Sequence, residues 1–361
     1  MSELESLEGT MMFDNKLILK DTHHNELLYA LINENYYYSL RERVTMSEDE
    51  AGNYDYSQVS NLGMVYLYIH NKDKIRKDKT KKDYARILLD FLQDVAESGK
   101  SDMRELSRFD METFQAKMEQ NGKKSTTLSK KVIIIRSFLS WCIDEGYIKK
   151  NIARGMRSVK KIKEEIPERD IDEVDLKLAV EFYKNNPKVQ SLLLLLGNSG
   201  MRLNELIQPA WGDLYYDRRR ERHYLITRTK RDKIRHVHIK DYVLAVLIEY
   251  RRRVGLSTEL NREDKTPFYP NRLGRRHNLS SLSTSLSKYM QAAGLTTVHG
   301  DRATPHFLRH FFVQAAYANG APLDWISETL DHSSTKITKD NYLSRQMKKE
   351  RDVSDFVDID I

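Results

Sequence analysis

The highly charged stretch Arg157 to Asp172 (RSVKKIKEEIPERDID) limits what this chain can fold into more than any other segment. It is poor in large apolar side chains, so no continuous core can run through it. Pro167 interrupts it, removing a backbone donor and disfavouring helix at the residue before. A chain divided in this way builds separate cores on either side. With 361 residues there is enough sequence for two or three domains. The reading is an N-terminal extension of unknown fold over 1–73, a helical module over 74–156, a linker over 157–172 and a larger domain over 173–361.

The helical module is read from apolar spacing. From Thr80 onward Tyr84, Ile87, Leu88, Phe91, Leu92 and Val95 recur on one helical face. Ser125 or Thr126 is placed to cap a second long helix. That helix would bury Leu128, Val132, Ile135, Phe138, Leu139 and Cys142 and stop near Gly146. Lys123, Lys124, Lys130 and Lys131 are available on it for phosphate contacts. The extension before this module carries Tyr36, Tyr37 and Tyr38 and the acidic stretch Ser47 to Glu50. It reads as an arm that contacts DNA or as a protein-contact or regulatory segment.

Beyond the linker the pattern is mainly helical. Val189 to Leu196 is a continuous apolar helical stretch. Alternation at His223–Arg228 and again at Ile234–Ile239, with a polar turn between, predicts a β-hairpin. Helices are predicted over 241–253, 279–293, 305–319, 322–330 and 335–345. The fold class is therefore mainly α, an α+β chain with a helical module and a mostly helical domain holding a small sheet or hairpin.

Charge points to a polyanion. The net charge is +7, yet residues 1–60 carry a balance of −8, which leaves +15 on the remainder. Clustered lysine and arginine displace counterions from DNA; a well-solvated surface has the same composition. Cys142 is the only cysteine, which excludes an internal disulfide and a cysteine-rich metal site. No apolar run reaches the roughly 20 residues of a membrane span, and no secretory leader is visible. A reducing cytoplasm is the expected setting.

Six residues carry the chemistry. Arg202, in Gly200-Met201-Arg202-Leu203-Asn204-Glu205-Leu206, offers a planar fork to a phosphate at a helix start. Glu205 shares its helical face and would hold a neighbouring lysine or histidine; alone the pair is an ordinary surface salt bridge. Lys230 stands at the tip of the predicted hairpin, a place for a mobile general acid, and Lys233 competes with it. His306 and Arg309, in Thr304-Pro305-His306-Phe307-Leu308-Arg309-His310, share one face of a helix that Pro305 starts. His332 follows Leu330-Asp331, and Tyr342 follows His332 by ten residues. A tyrosine becomes nucleophilic once its proton is lost, which positive neighbours favour. Each residue alone has a bland structural explanation; together they can surround one phosphate with a nucleophile beside it.

The set GMRLNEL, a hairpin lysine, PHFLRH, LDHSS and the following tyrosine resembles the tyrosine recombinase (phage-integrase) family over about 173–345. Residues 74–156, including SFLSWCIDEGYIKKNIA, are similar to the family's core-binding domain. The resemblance implies that Tyr342 is the nucleophile, forming a 3′-phosphotyrosyl link and freeing a 5′-hydroxyl. It implies that Arg202 and Arg309 clamp the non-bridging oxygens, Lys230 protonates the leaving oxygen, and His306 does acid–base work on the tyrosine. His332 would donate to the phosphate and Glu205 would support the site. No metal, cofactor or ATP is implied. The partners implied are double-stranded DNA with specific recombination sites, a homotetramer on two such sites, and accessory recombination proteins. Phe356, Val357 and Ile359 would pack on a neighbouring protomer. The extension favours a mobile-element integrase or transposase, acting in integration, excision or transposition. A non-catalytic DNA-binding regulator and a type IB topoisomerase are the alternatives. Family members commonly carry glycine where this chain has Asp331, and an acidic residue where it has Phe307.

Overall fold

The structure, a computed structural model, describes residues 24–45, 54–71, 77–122, 124–162, 165, 169–229, 232–344 and 347. Lys123, Ser47 to Glu50, and the tail positions Phe356, Val357 and Ile359 lie outside them. The chain divides into two compact units, Met1–Ile166 and Pro167–Ile361.

The first unit is all helical: α1 (His24–Ile32), α2 (Tyr37–Thr45), α3 (Asn61–His70), α4 (Asp78–Glu97), α5 (Arg108–Gln120) and α6 (Ser125–Asp144). The two helices expected from periodicity are α4 and α6. Ile87, Leu88, Phe91, Leu92 and Val95 of α4 are buried, and so are Leu128, Val132, Ile135, Phe138, Leu139 and Cys142 of α6. Gly146 takes the left-handed conformation (φ 76°) that ends α6. Its beginning differs from the expected cap. Neither Ser125 nor Thr126 caps it: Lys124 occupies the cap position without a side-chain bond, and the Ser125 N–H donates to Glu165 at 2.6 Å. A linker carboxylate thus takes the place of a local hydroxyl at the positive end of the helix.

The N-terminal helices belong to the same core. Leu27, Leu31, Leu40 and Val44 pack in one cluster with α3, α4 and α6. α3 is buried along its whole length, which leaves it without amphipathic periodicity. Lys81 pairs with Glu34, and His70 Nε2 donates to the Leu31 carbonyl at 2.9 Å, tying α1 to α3 and α4. Lys130 and Lys131, expected to face phosphates, bond Asp83 and Asp90 of α4 at 3.0 and 2.9 Å.

The second unit contains α7 (Glu173–Phe182), α8 (Pro187–Ser199), α9 (Leu203–Ile207), strands β1 (Leu214–Asp217), β2 (Arg222–Arg228) and β3 (Ile234–Ile239), then α10 (Asp241–Val254), α11 (Leu279–Ala292), α12 (Pro305–Ala318), α13 (Leu323–Thr329) and α14 (Thr335–Thr338). Its centre is α8, the apolar stretch read from sequence, packed by α10, α12 and β3. The predicted hairpin is β2–β3, and β1 adds a third antiparallel strand in the order β1-β2-β3. The register pairs Leu214 with Leu225 and Leu225 with Val237, so these side chains line the inward face. α14 runs into a π-helical turn, Lys339–Leu343, in place of the long regular helix predicted over 335–345. Both helical units and the small sheet fulfil the expected mainly α, α+β class.

Candidate active site

Gly200 closes α8 in the left-handed region (φ 59°), and the chain turns at once into α9 with Arg202 at its cap. This tight reversal sets Arg202 over a buried carboxylate. Glu205 is 1% exposed and accepts from Arg202 Nη1 at 2.6 Å, from the Arg202 backbone N–H at 3.1 Å and from Arg235 Nη1 at 3.0 Å. Arg309 Nη1 lies 3.9 Å away from the same carboxylate. Glu205 was expected to hold a lysine or a histidine; it holds arginines.

Arg309 reaches this point from α12, whose first residue is Pro305 as the motif predicted. It is buried and uses every nitrogen of its fork. Nη1 donates to the Gly200 carbonyl at 2.6 Å, Nη2 to the Leu330 carbonyl at 3.1 Å and to His332 Nε2 at 3.3 Å, and Nε to the Tyr342 hydroxyl at 3.2 Å. Tyr342 itself is 9% exposed and sits on the π-helical turn. Such turns insert a residue into the helical ladder and recur at functional sites. The tyrosine oxygen is thus already held by a guanidinium nitrogen.

Three histidines crowd the tyrosine ring. His310, His332 and His306 have ring centroids 4.3, 5.6 and 6.2 Å from it. Burial pushes the His310 pKa down to about 3, helped by His306, Arg169 and Arg309. His332 falls to about 4 through burial and then the charges of Arg309 and Arg202. His306 keeps an exposed edge, yet the protein around its ring strips hydration, and with Arg169, Arg309 and Arg202 nearby its pKa falls to about 4. All three imidazoles are therefore neutral near pH 7.

The charge balance of the cluster is the chemical point. Arg202, Arg235 and Arg309 share the single carboxylate Glu205. Burial lowers the Arg235 pKa to about 10 and lowers that of Arg309, yet both stay charged at neutral pH. Buried positive charge in excess of its counterion is costly unless an anion completes it. A phosphodiester, whose charge grows in the transition state, is such an anion.

Of the residues expected from sequence, Arg202, Glu205, His306, Arg309, His332 and Tyr342 converge here. Lys230 lies outside the described residues. Its competitor Lys233 is exposed and donates to Asp331 at 3.3 Å. Arg235, His310, Arg169 and Thr338 were not anticipated. Arg169 Nη1 donates to His310 Nε2 at 3.2 Å, and Thr338 Oγ1 lies 2.7 Å from His332 Nδ1. Arg235 had a visible signal: it is in phase with Val237 and Ile239 on the inward face of β3. Among the described residues, no cluster of histidine, cysteine or carboxylate side chains is arranged to hold a metal.

The phage integrase family matches residues 170–349, and the phage integrase N-terminal SAM-like domain matches residues 68–146. The chain is 30% identical over 224 residues to tyrosine recombinase XerC of Thermodesulfovibrio yellowstonii, covering 60% of this chain and 71% of that protein. It is 26% identical over 265 residues to the XerC-like tyrosine recombinase of Caldanaerobacter subterraneus, covering 64% of this chain and 66% of that one. The fold is similar to that of the XerH site-specific recombinase bound to palindromic difH substrate, with a TM-score of 0.62 and 16% identity, covering 91% of this chain and 96% of that one. The arginine fork on a tyrosine hydroxyl, the order of the site residues and the matches over both units lead to one conclusion: the chain belongs to the phage integrase family, the tyrosine recombinases.

Proposed function

We propose that this chain cuts and rejoins DNA strands at specific sites through a covalent link between Tyr342 and a 3′-phosphate. The observation that carries the reading is the bond from Arg309 Nε to the Tyr342 hydroxyl, 3.2 Å long, inside a cluster with surplus positive charge. In this reading Arg202 and Arg309 bind the non-bridging oxygens, and Glu205 with Arg235 fixes the angle of the Arg202 fork. Neutral His306 takes the tyrosine proton. His332 donates to the phosphate. A hairpin lysine, Lys230 or Lys233, protonates the leaving 5′ oxygen. Tyr342 attacks phosphorus as the 5′ oxygen departs, and the reverse attack by a 5′-hydroxyl restores the tyrosine, so no external energy source is consumed. The helical unit before the linker would hold the duplex, with Lys123, Lys124, Lys130 and Lys131 toward the backbone; the last two would exchange their aspartates for phosphates.

The biological setting we propose is integration, excision or transposition of a mobile element by a tetramer bridging two sites. The support is the sequence that precedes the SAM-like stretch, which begins at residue 68. Resolution of chromosome multimers is the second reading, favoured by the names of the Xer relatives.

The test uses nicked duplexes recovered from a random pool by covalent capture. Wild-type protein forms an adduct resistant to denaturant; Tyr342→Phe forms none and Arg309→Ala loses about 10²–10³ in rate. Equal behaviour of Tyr342→Phe and wild type sinks the enzymatic role of Tyr342. Relaxation of any supercoiled plasmid without site preference points instead to a type IB topoisomerase.

A further inference from the structure

Thr338 is fully buried at the end of α14, and its Oγ1 lies 2.7 Å from His332 Nδ1 and 2.7 Å from Ser327 Oγ. On the far side of the same imidazole, His332 Nε2 lies 3.3 Å from Arg309 Nη2. A guanidinium has donors and no acceptor. Nε2 therefore carries the lone pair, and the ring proton sits on Nδ1 and donates to Thr338. That tautomer suits the site without DNA. It is the wrong one for a phosphate, whose oxygen would meet a lone pair at Nε2.

We propose that Thr338 is a positioning residue that lets His332 reverse its tautomer when the scissile phosphate arrives. The Thr338 hydroxyl then donates to a bare Nδ1, and Nε2–H donates to a non-bridging oxygen. The inference rests on the phosphate-binding role given above to His332. A hydroxyl can serve both states because it donates and accepts. Ser327, also buried, completes the chain: it accepts from Thr338 in the first state and donates to it in the second. The imidazole releases one proton from Nδ1 and gains one at Nε2, both exchanged with water, so its charge does not change. A carboxylate in place of Thr338 accepts only and would lock the first tautomer. An apolar side chain would leave Nδ1 without a partner in either.

Protonating the ring is the other way to obtain an Nε2 donor, and the surroundings oppose it. Burial acts first against a charge on the ring, then Arg309 on α12 and Arg202 at the start of α9; the adjacent Asp331 favours the charge less than these do, and Arg235 on β3 adds a smaller opposition. Tyr342 covers one face of the ring at 5.6 Å. A neutral donor avoids that repulsion.

The experiment compares full-length wild type, Thr338→Val, which keeps the shape without the hydroxyl, and Thr338→Ser on the captured nicked duplex. Thr338→Val is expected to cleave about 10- to 100-fold more slowly at pH 7.5. The deficit shrinks toward pH 5.5, because the phosphate bound beside the ring raises the imidazole pKa and lets the imidazolium supply the missing donor, and Thr338→Ser restores the wild-type rate and profile. Nitrogen-15 NMR of wild-type protein alone shows the His332 proton on Nδ1, moving to Nε2 on addition of orthovanadate as a phosphate mimic. A Thr338→Val protein at the wild-type rate across this range, or a proton that stays on Nδ1 with orthovanadate bound, overturns the proposal. The NMR arm needs no variant, so it decides even if valine impairs folding. Tyr342→Phe, run in parallel, separates a failure of the tautomer switch from a failure of the covalent mechanism.

Discussion

Arg309 joins the arginine cluster to Tyr342, the proposed nucleophile. Its fork bonds two carbonyls that fix its plane, Gly200 and Leu330, and what remains faces His332 and Tyr342. Asp331 follows Leu330 and adopts φ 54°, a region that side chains rarely occupy. That backbone gives a physical reason for the glycine commonly found at this position in the family. Aspartate tolerates the conformation better than most residues, and here its carboxylate receives Lys233. Asp331→Gly should therefore change unfolding free energy by under about 1 kcal/mol, while the β-branched Asp331→Val should cost about 1–3 kcal/mol, both read by urea denaturation. At this scale Arg202, Arg309 and Tyr342 were legible because each sits in a local motif. His310 and Thr338 were not, since nothing local separates a buried histidine or threonine that touches the site from one that only fills space.

At the scale of elements, the junction between α8 and α9 sets the position of both arginines. A Cβ on Gly200 would lie 2.5 Å from Phe312 Cδ1, and φ there is +59°. Gly200→Ala is expected to cost about 1–3 kcal/mol by thermal or urea unfolding. It should also slow cleavage, because the displaced carbonyl holds Arg309; wild-type cleavage in a destabilised variant would separate the junction from the site. The long amphipathic helices and the β2–β3 hairpin were readable, since their periods are 3.6 and 2 residues over enough length. Several features escaped, three of them for plain physical reasons. β1 is four residues long, too short to show alternation. α3 is buried on all sides and so has no apolar face to detect. The π-helical turn under Tyr342 depends on contacts from α12 that local sequence does not encode.

At the scale of the whole molecule, the site imposes a pH dependence on stability. His306, His310 and His332 titrate in the folded state at about 4, 3 and 4, below the ordinary value near 6.5. Below that ordinary value the unfolded chain binds protons that the folded one refuses, so stability falls as pH drops from about 6.5 toward 4. The buried His310 alone contributes about 2 kcal/mol of loss between pH 6.5 and 5. Thermal unfolding at pH 7 and pH 5 should show a clear fall in Tm, reduced in His310→Gln; an unchanged Tm would contradict the burial assigned to His310. A bound phosphate reverses part of this effect, because an anion beside the rings favours their protonation. The linker that the sequence marked so plainly also touches the site at its far end, where Arg169 bonds His310.

The most direct test of the central claim is the chemical identity of the protein–DNA bond. Wild-type protein trapped on a nicked duplex, digested and sequenced by mass spectrometry, should yield one peptide carrying a nucleotide on Tyr342. Attachment to any other of the 20 tyrosines, or to no residue at all while DNA is still cut, would contradict it.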